Sequence, residues 1–235
     1  MTDSVRPCGQ CPEAKSGLCA LLLSIGFREF RGTIKSNPLR KNESIQSDSP
    51  GRDRFVLVAR GSAKLRVLRA SGAANVIGFL GPGELAHLRV KSEAISSAVS
   101  LEAATVCTAD FGKVQALGDK HGVVAAHMAH RLSNEVTRLR GRLTLLGVRS
   151  AGERLAAFLL DEMDSRRWAV SETEHRLPFS RFDIGEYLML SPETISRAFT
   201  DLVHRGMIRC AGPRRIVKLD HPGWAEVEEV TDVEM

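Results

Sequence analysis

Residues 180–219 read SRFDIGEYLMLSPETISRAFTDLVHRGMIRCAGPRRIVKL. Ser180 is placed to cap a helix, with Asp183 at the third helical position as its capping-box partner. Ile184, Tyr187 and Leu188 then recur at helical spacing. Met189 and Leu190 lead into a turn. Ser191 caps a second helix whose first position is Pro192, where a missing N–H costs nothing. Along that helix Ile195, Ala198, Phe199 and Leu202 share one side, and Glu193, Ser196 and Arg197 share the other. Gly206 ends it. Two short apolar runs, Met207-Ile208 and Ile216-Val217-Lys218-Leu219, flank the turn Gly212-Pro213-Arg214-Arg215. Two helices, a tight turn and a basic hairpin outline a winged helix-turn-helix.

A helical hairpin with a solvated polar face is the plainer alternative. Against it stands the chemistry of the outward face. Near its start the second helix offers a carboxylate, a hydroxyl and a guanidinium, from Glu193, Ser196 and Arg197, with Thr194 beside them as a further DNA-binding residue. Glu accepts from cytosine N4, and Arg donates to guanine O6 and N7. Arg214 and Arg215, at the tip of the hairpin, suit phosphates. Double-stranded DNA is therefore the expected partner.

The chain has 235 residues, 43% of them hydrophobic, which is enough for one large domain or two smaller ones. A net charge of +5 and a pI of about 9.1 favour an anionic partner. No apolar run is long enough to cross a membrane and no signal-peptide pattern opens the chain, so a cytoplasmic protein without membrane association is expected. In that compartment the five cysteines read as thiols or metal ligands rather than disulfides. HExxH, Walker A and G-x-S-x-G signatures are all missing, and no enzyme is expected.

From the N-terminus, Cys8, Cys11 and Cys19 are set among Pro7, Gly9, Pro12 and Gly17, and residues 1–27 read as an irregular cysteine-rich sensor segment. A thiolate cluster needs a fourth ligand, for zinc or for an iron–sulfur centre, and Cys107 and Cys210 are the two remaining cysteines. Over residues 28–118 short apolar runs alternate with glycine turns: 55–58, 64–68, 76–80, 95–99 and 105–107. That spacing predicts an antiparallel β-roll, with Cys107 on its last strand. In residues 119–147 Met128, Leu132, Val136, Leu139, Leu143 and Leu146 recur at steps of four and three, the seam of a dimerisation helix flanked by Arg138, Arg140 and Arg142. Residues 148–235 form the DNA-binding domain, opening on a helix from Ala151 to about Met163, with a frayed acidic end from Glu226. The fold class is α+β.

A β-roll, a long helix and a winged helix-turn-helix, in that order, resemble the CRP/FNR family of bacterial transcription regulators along nearly the whole chain. Ala151-Gly152-Glu153-Arg154-Leu155-Ala156-Ala157-Phe158 is similar to the start of that family's DNA-binding domain. Asp183-Ile184-Gly185-Glu186-Tyr187-Leu188, followed by Glu193-Thr194-Ile195-Ser196-Arg197, resembles the FNR branch. There the Glu, Ser and Arg of E-x-x-S-R read a half-site of the TTGAT type. The CRP branch carries an arginine before that glutamate, where this chain has Pro192. The resemblance further implies a homodimer that works with RNA polymerase. It also implies an oxygen-labile [4Fe–4S] cluster on three N-terminal cysteines and one from the roll, which here are Cys8, Cys11, Cys19 and Cys107. A regulator of the same family without iron–sulfur chemistry, sensing through zinc or redox-active thiols as FixK-like members do, is the alternative. The roll also resembles a cyclic-nucleotide-binding domain. Gly83-Glu84-Leu85 matches half of its cassette, but Ile95-Ser96-Ser97-Ala98 lacks the phosphate-binding arginine, so cAMP is not expected to act.

Overall fold

The structure is a computed structural model and describes residues 11, 17–24, 34–47, 52–91, 94–148, 150–212 and 214–231. Cys8 and Pro213 lie outside the described residues. The chain divides into two compact units, Met1–Leu132 and Ser133–Met235. The boundary falls inside a long helix rather than at either of its ends.

The first unit opens on α1 (Gly17–Ser24) and continues through β1 (Lys35–Leu39), β2 (Ser44–Gln46), β3 (Arg54–Arg60), β4 (Ala63–Arg69), β5 (Ala74–Leu80), β6 (Leu85–Leu88), β7 (Val90–Lys91), β8 (Ala94–Ser100) and β9 (Ala104–Asp110). All pairings are antiparallel, in two sheets ordered β1-β9-β3-β6 and β2-β8-β4-β5, with β7 on β8. This is the expected β-roll. Its interior is aliphatic: Val56, Val58, Ala63, Leu65, Leu80, Leu88, Ala98 and Val106 are buried in one cluster, each valine or leucine worth about 1.5–3 kcal/mol when removed from water. Gly61 turns β3 into β4 at φ +79°, where a Cβ would stand 2.6 Å from the Ala103 carbonyl oxygen.

Two helices follow β9. α2 (Phe111–Lys120) starts at Asp110, whose carboxylate accepts from the Lys113 amide at 3.0 Å. α3 spans Gly122–Val148. α2 lies largely within the stretch 28–118 expected to be β-roll and carries a single fully buried side chain, Val114, too few to give a helical period.

α1 corrects an expectation. Prolines and glycines predict an irregular loop around Cys19, yet Cys19 sits inside this helix. The cause is the run Leu18-Cys19-Ala20-Leu21-Leu22. Leu18 and Leu22, one turn apart, are buried in a second cluster with Val114 and Val124, against which Phe55, Ala109 and Met128 also pack.

The second unit contains the C-terminal part of α3, then α4 (Ala151–Asp164), β10 (Glu174–Arg176), α5 (Arg181–Leu188), α6 (Pro192–His204), β11 (Ile208–Gly212), β12 (Arg215–Lys218) and α7 (Gly223–Thr231). Ser150 and Glu153 form a complete capping box at the start of α4. The sheet order is β10-β12-β11. α7 is a further correction: the acidic end was read as frayed, but Trp224 and Val227, on one face of a helix, are buried. Among the described residues no helix is long and apolar enough to cross a membrane.

Candidate nucleic-acid interface and sensor residues

α5 and α6 form the helix-turn-helix for reasons local to their sequence. The Ser180 hydroxyl accepts from the Asp183 amide at 3.2 Å, and the Ser180 amide donates to the Asp183 carboxylate at 2.8 Å. α5 stops at Met189, which adopts the left-handed conformation at φ 56°. The Leu190 amide then returns to the Gly185 carbonyl at 2.9 Å. That closure brings the Leu190 carbonyl oxygen to 2.7 Å from where a Cβ on Gly185 would stand, so the turn needs glycine there. Ser191 caps α6 by accepting from the Thr194 amide at 3.1 Å, and Pro192 occupies the first turn.

On α6, Ile195, Ala198, Phe199 and Leu202 are buried. Glu193 and Arg197 are exposed, and Thr194 and Ser196 are half-buried. All four polar residues lie within the first two turns of α6. The Thr194 hydroxyl lies 3.1 Å from the Ser191 hydroxyl, so it contributes to the cap. Hydrogen bonding to its own backbone amide, and secondly to Ser191, holds the Glu193 carboxyl below its ordinary range, leaving an ionised acceptor on the outer face.

The hairpin arginines have structural partners. Arg214 donates to the Pro178 carbonyl at 2.7 Å and so pins the chain where it enters α5. Arg215 pairs with Glu174 at 3.2 Å while keeping 52% of its side chain exposed. Arg181 lies 5.0 Å from the Phe199 ring centre, joining the two helices from outside. Arg209 is exposed on β11. No sequence signal marked the Pro178 contact, because its acceptor is a backbone carbonyl.

The apolar stripe on α3 divides. Met128 packs against the α1 cluster of its own chain. Leu132, Val136, Leu139 and Leu143 are 64%, 42%, 42% and 69% exposed, and Leu146 is half-buried. Arg142, read as a flanking charge of that stripe, instead donates to the Tyr187 carbonyl at 2.7 Å, with its guanidinium 4.1 Å from the Tyr187 ring centre.

Of the cysteines, Cys11, Cys19 and Cys107 are half-buried, while Cys210 is exposed on β11. Among the described residues no three Cys, His, Asp or Glu side chains are grouped to hold a metal. Cys107 lies on β9, paired with Ser36 of β1 and Leu57 of β3. Strand alternation puts it on the same face as Ala109, which packs against the cluster containing Leu18 and Leu22 of the Cys19-bearing helix. In the β5–β6 loop, the Glu84 carboxylate accepts from the Gly81 amide at 2.6 Å.

A β-roll carrying a long helix, and a winged helix-turn-helix with a polar reading face, define a DNA-binding regulator. Residues 153–224 match the Crp-like helix-turn-helix domain. The chain is 31% identical to the nitrogen fixation regulation protein FixK of Bradyrhizobium diazoefficiens, covering 86% of this chain and 85% of that protein. It is also 31% identical to the transcriptional activator protein Anr of Pseudomonas protegens, covering 76% and 74%. The solved structure of FixK2 from Bradyrhizobium japonicum superposes with a TM-score of 0.70 at 29% identity, over 83% of this chain and 96% of that one. The chain belongs to the FNR/FixK branch of the CRP/FNR family of transcription regulators, and is not an enzyme.

Proposed function

We propose that this regulator works in the cytoplasm as a homodimer on inverted half-sites of the TTGAT-N4-ATCAA type, with RNA polymerase as its downstream partner. Oxygen controls it through a [4Fe–4S] cluster held by Cys8, Cys11, Cys19 and Cys107. Each recognition helix presents Glu193, Ser196 and Arg197 to base edges, and Thr194, Arg214 and Arg215 serve the phosphates. The exposed stripe Leu132, Val136, Leu139 and Leu143 supports pairing with a second copy.

The observation that carries the sensor reading is the common face of Cys107 and Ala109, because Ala109 packs against the cluster that seats the helix bearing Cys19. The donor set fits as well, since thiolates are soft ligands suited to iron–sulfur centres. A bound cluster supplies oxidisable iron and Fe–S bonds. The protein's part is to hold one thiolate on a rigid strand and the others on the N-terminal segment. Loss of the cluster releases that segment, and DNA affinity falls with it. Cyclic AMP is not the effector: Glu84 is engaged by its own loop, and Arg89, beside Ser96 in space, pairs with Asp53 at 3.0 Å.

The test is anaerobic reconstitution of wild type and Cys107→Ser, with iron and sulfide counted, and with mass and DNA affinity followed before and after air. Wild type should bind about four irons per chain and lose colour and affinity in air, and Cys107→Ser should do neither. Full iron binding by Cys107→Ser, or DNA affinity that survives bleaching, defeats the cluster reading. FixK is among the relatives, which favours a zinc or redox-thiol sensor of the FixK-like kind as the second reading. A colourless, air-stable protein with stoichiometric zinc would establish the zinc form.

A further inference from the structure

We infer that Arg142 is a positioning residue that fixes how the helix-turn-helix is held on α3 and thereby selects the spacing between DNA half-sites. Tyr187 is the penultimate residue of α5, so its carbonyl is among those that helix geometry leaves without an intrahelical amide. The Arg142 guanidinium donates to that carbonyl at 2.7 Å and stacks on the ring of the same residue. A cation at a helix C-terminus is also favoured by the helix dipole. Tyr187 is anchored in turn: its ring centre lies 5.4 Å from that of Phe158, a buried residue of α4. One side chain of α3 thus grips both the backbone end of α5 and a half-buried ring that packs on the core residue Phe158.

Arg142 is next in sequence to Leu143, one of the exposed seam residues. At about 100° per residue, Arg142 faces roughly a quarter-turn away from the seam formed by Leu132, Val136, Leu139 and Leu143. It therefore engages α5 without occluding the stripe. In a dimer the seam fixes the two α3 helices against each other, and the grip on α5 fixes each reading helix relative to its α3. The separation of the two reading helices follows, and that separation is read as half-site spacing. Lysine is a poor substitute, because a planar guanidinium donates and stacks together, whereas an ammonium is a hydrated point charge.

This inference rests on the dimeric reading above, and the experiment separates the two. Full-length wild type, Arg142→Met, Arg142→Lys and Arg131→Met, each anaerobically reconstituted, are titrated without air against duplexes that differ only in spacer: four base pairs, and one base pair shorter or longer. A fourth duplex carries a base change within one half-site. Arg131→Met is the control: Arg131 lies on the same edge of α3 about three turns earlier, and donates to the Gly83 carbonyl at 2.9 Å in the first unit. Wild type and Arg131→Met should prefer the four-base-pair spacer by about tenfold, a bias of ~1.4 kcal/mol. In Arg142→Met that preference should shrink to about twofold or less, with dimer mass and half-site discrimination retained, and Arg142→Lys should fall between. A wild-type spacer preference in Arg142→Met, or an equal flattening in Arg131→Met, overturns the assignment. Should Arg142→Met fold poorly, a wild-type preference in Arg142→Lys does the same. A wild type that is monomeric or indifferent to spacing refutes the dimeric reading, and this inference with it.

Discussion

The indole N–H of Trp168 donates to the carboxylate of Glu162 at 2.6 Å, with both residues buried. The other oxygen of Glu162 receives Arg167 at 3.0 Å. A charge on the buried face of α4 is thus matched by two donors from the segment that follows, and this holds the end of α4 to the approach of β10. Removing one partner of such a group leaves the others buried and unmatched. Glu162→Ala is expected to lower the stability of the DNA-binding unit by about 3–5 kcal/mol, and Trp168→Phe by about 1.5–3 kcal/mol. Urea unfolding followed by far-UV circular dichroism checks both, and a loss under about 1 kcal/mol in Glu162→Ala would remove the network from the account.

The Glu162 network marks where the sequence ceased to be readable. Periodicity and capping gave α5 and α6 almost to the residue, because Ser180, Asp183, Ser191 and Pro192 each act on their own helix end. Alternation gave the β-roll and put Cys107 on its last strand. Glu162 escaped because a carboxylate in the acidic run Asp161-Glu162-Met163-Asp164 reads as surface until its partners are known, and those partners lie past the helix end. Arg142 and Arg214 escaped for a related reason: their acceptors are the backbone carbonyls of Tyr187 and Pro178, which have no sequence signature. At α1 and α7, cysteines with prolines and a run of acids outweighed the buried pairs Leu18/Leu22 and Trp224/Val227.

His175 gives the DNA-binding unit a pH dependence. It is 3% exposed and its Nδ1 has no hydrogen-bond partner among the described residues. Burial first, and the Arg166 charge second, lower its pKa from the ordinary 6.5, against an opposing effect of Asp164. The folded state then binds this proton less readily than the unfolded state, so stability is fully present above the unfolded value and is lost as pH falls through and below it. Urea midpoints from tryptophan fluorescence should decline from pH 7.5 to pH 5. Both tryptophans, Trp168 and Trp224, are in Ser133–Met235, so the signal reports that unit and not His87 or His127, which burial lowers in the other. His175→Leu should flatten the decline, and an unchanged slope in that variant would clear His175 of the effect.

The two kinds of DNA contact should separate by salt and by sequence. Arg197→Ala is expected to cost about 1–3 kcal/mol on a cognate duplex and to relax discrimination at one guanine. Arg215→Ala should weaken all duplexes alike and reduce the slope of log K against log salt by about one. Arg214→Ala should also lower the melting temperature, because its guanidinium pins Pro178. Anisotropy titrations at several salt concentrations decide among these. Unchanged base preference in Arg197→Ala would take that residue out of the readout.

The exposed part of α3 makes the strongest demand on a partner. Leu132, Val136, Leu139 and Leu143 follow steps of four and three on one side of the helix and stand 42–69% exposed in the single chain. In the proposed dimer a second copy would bury them, each leucine contributing about 1.5–3 kcal/mol at full burial. Leu139→Glu replaces one such contact by two carboxylates facing each other across the seam. The association constant is expected to fall by a hundredfold or more, about 3 kcal/mol. Val203→Glu alters a side chain of similar exposure, 41%, on α6 and should leave association unchanged. Sedimentation equilibrium of the three proteins, anaerobically reconstituted, reads this directly. Equal dimer constants for wild type and Leu139→Glu would move the interface off this stripe. A fall in Val203→Glu as large as in Leu139→Glu would mean that added charge, rather than the seam, governs association.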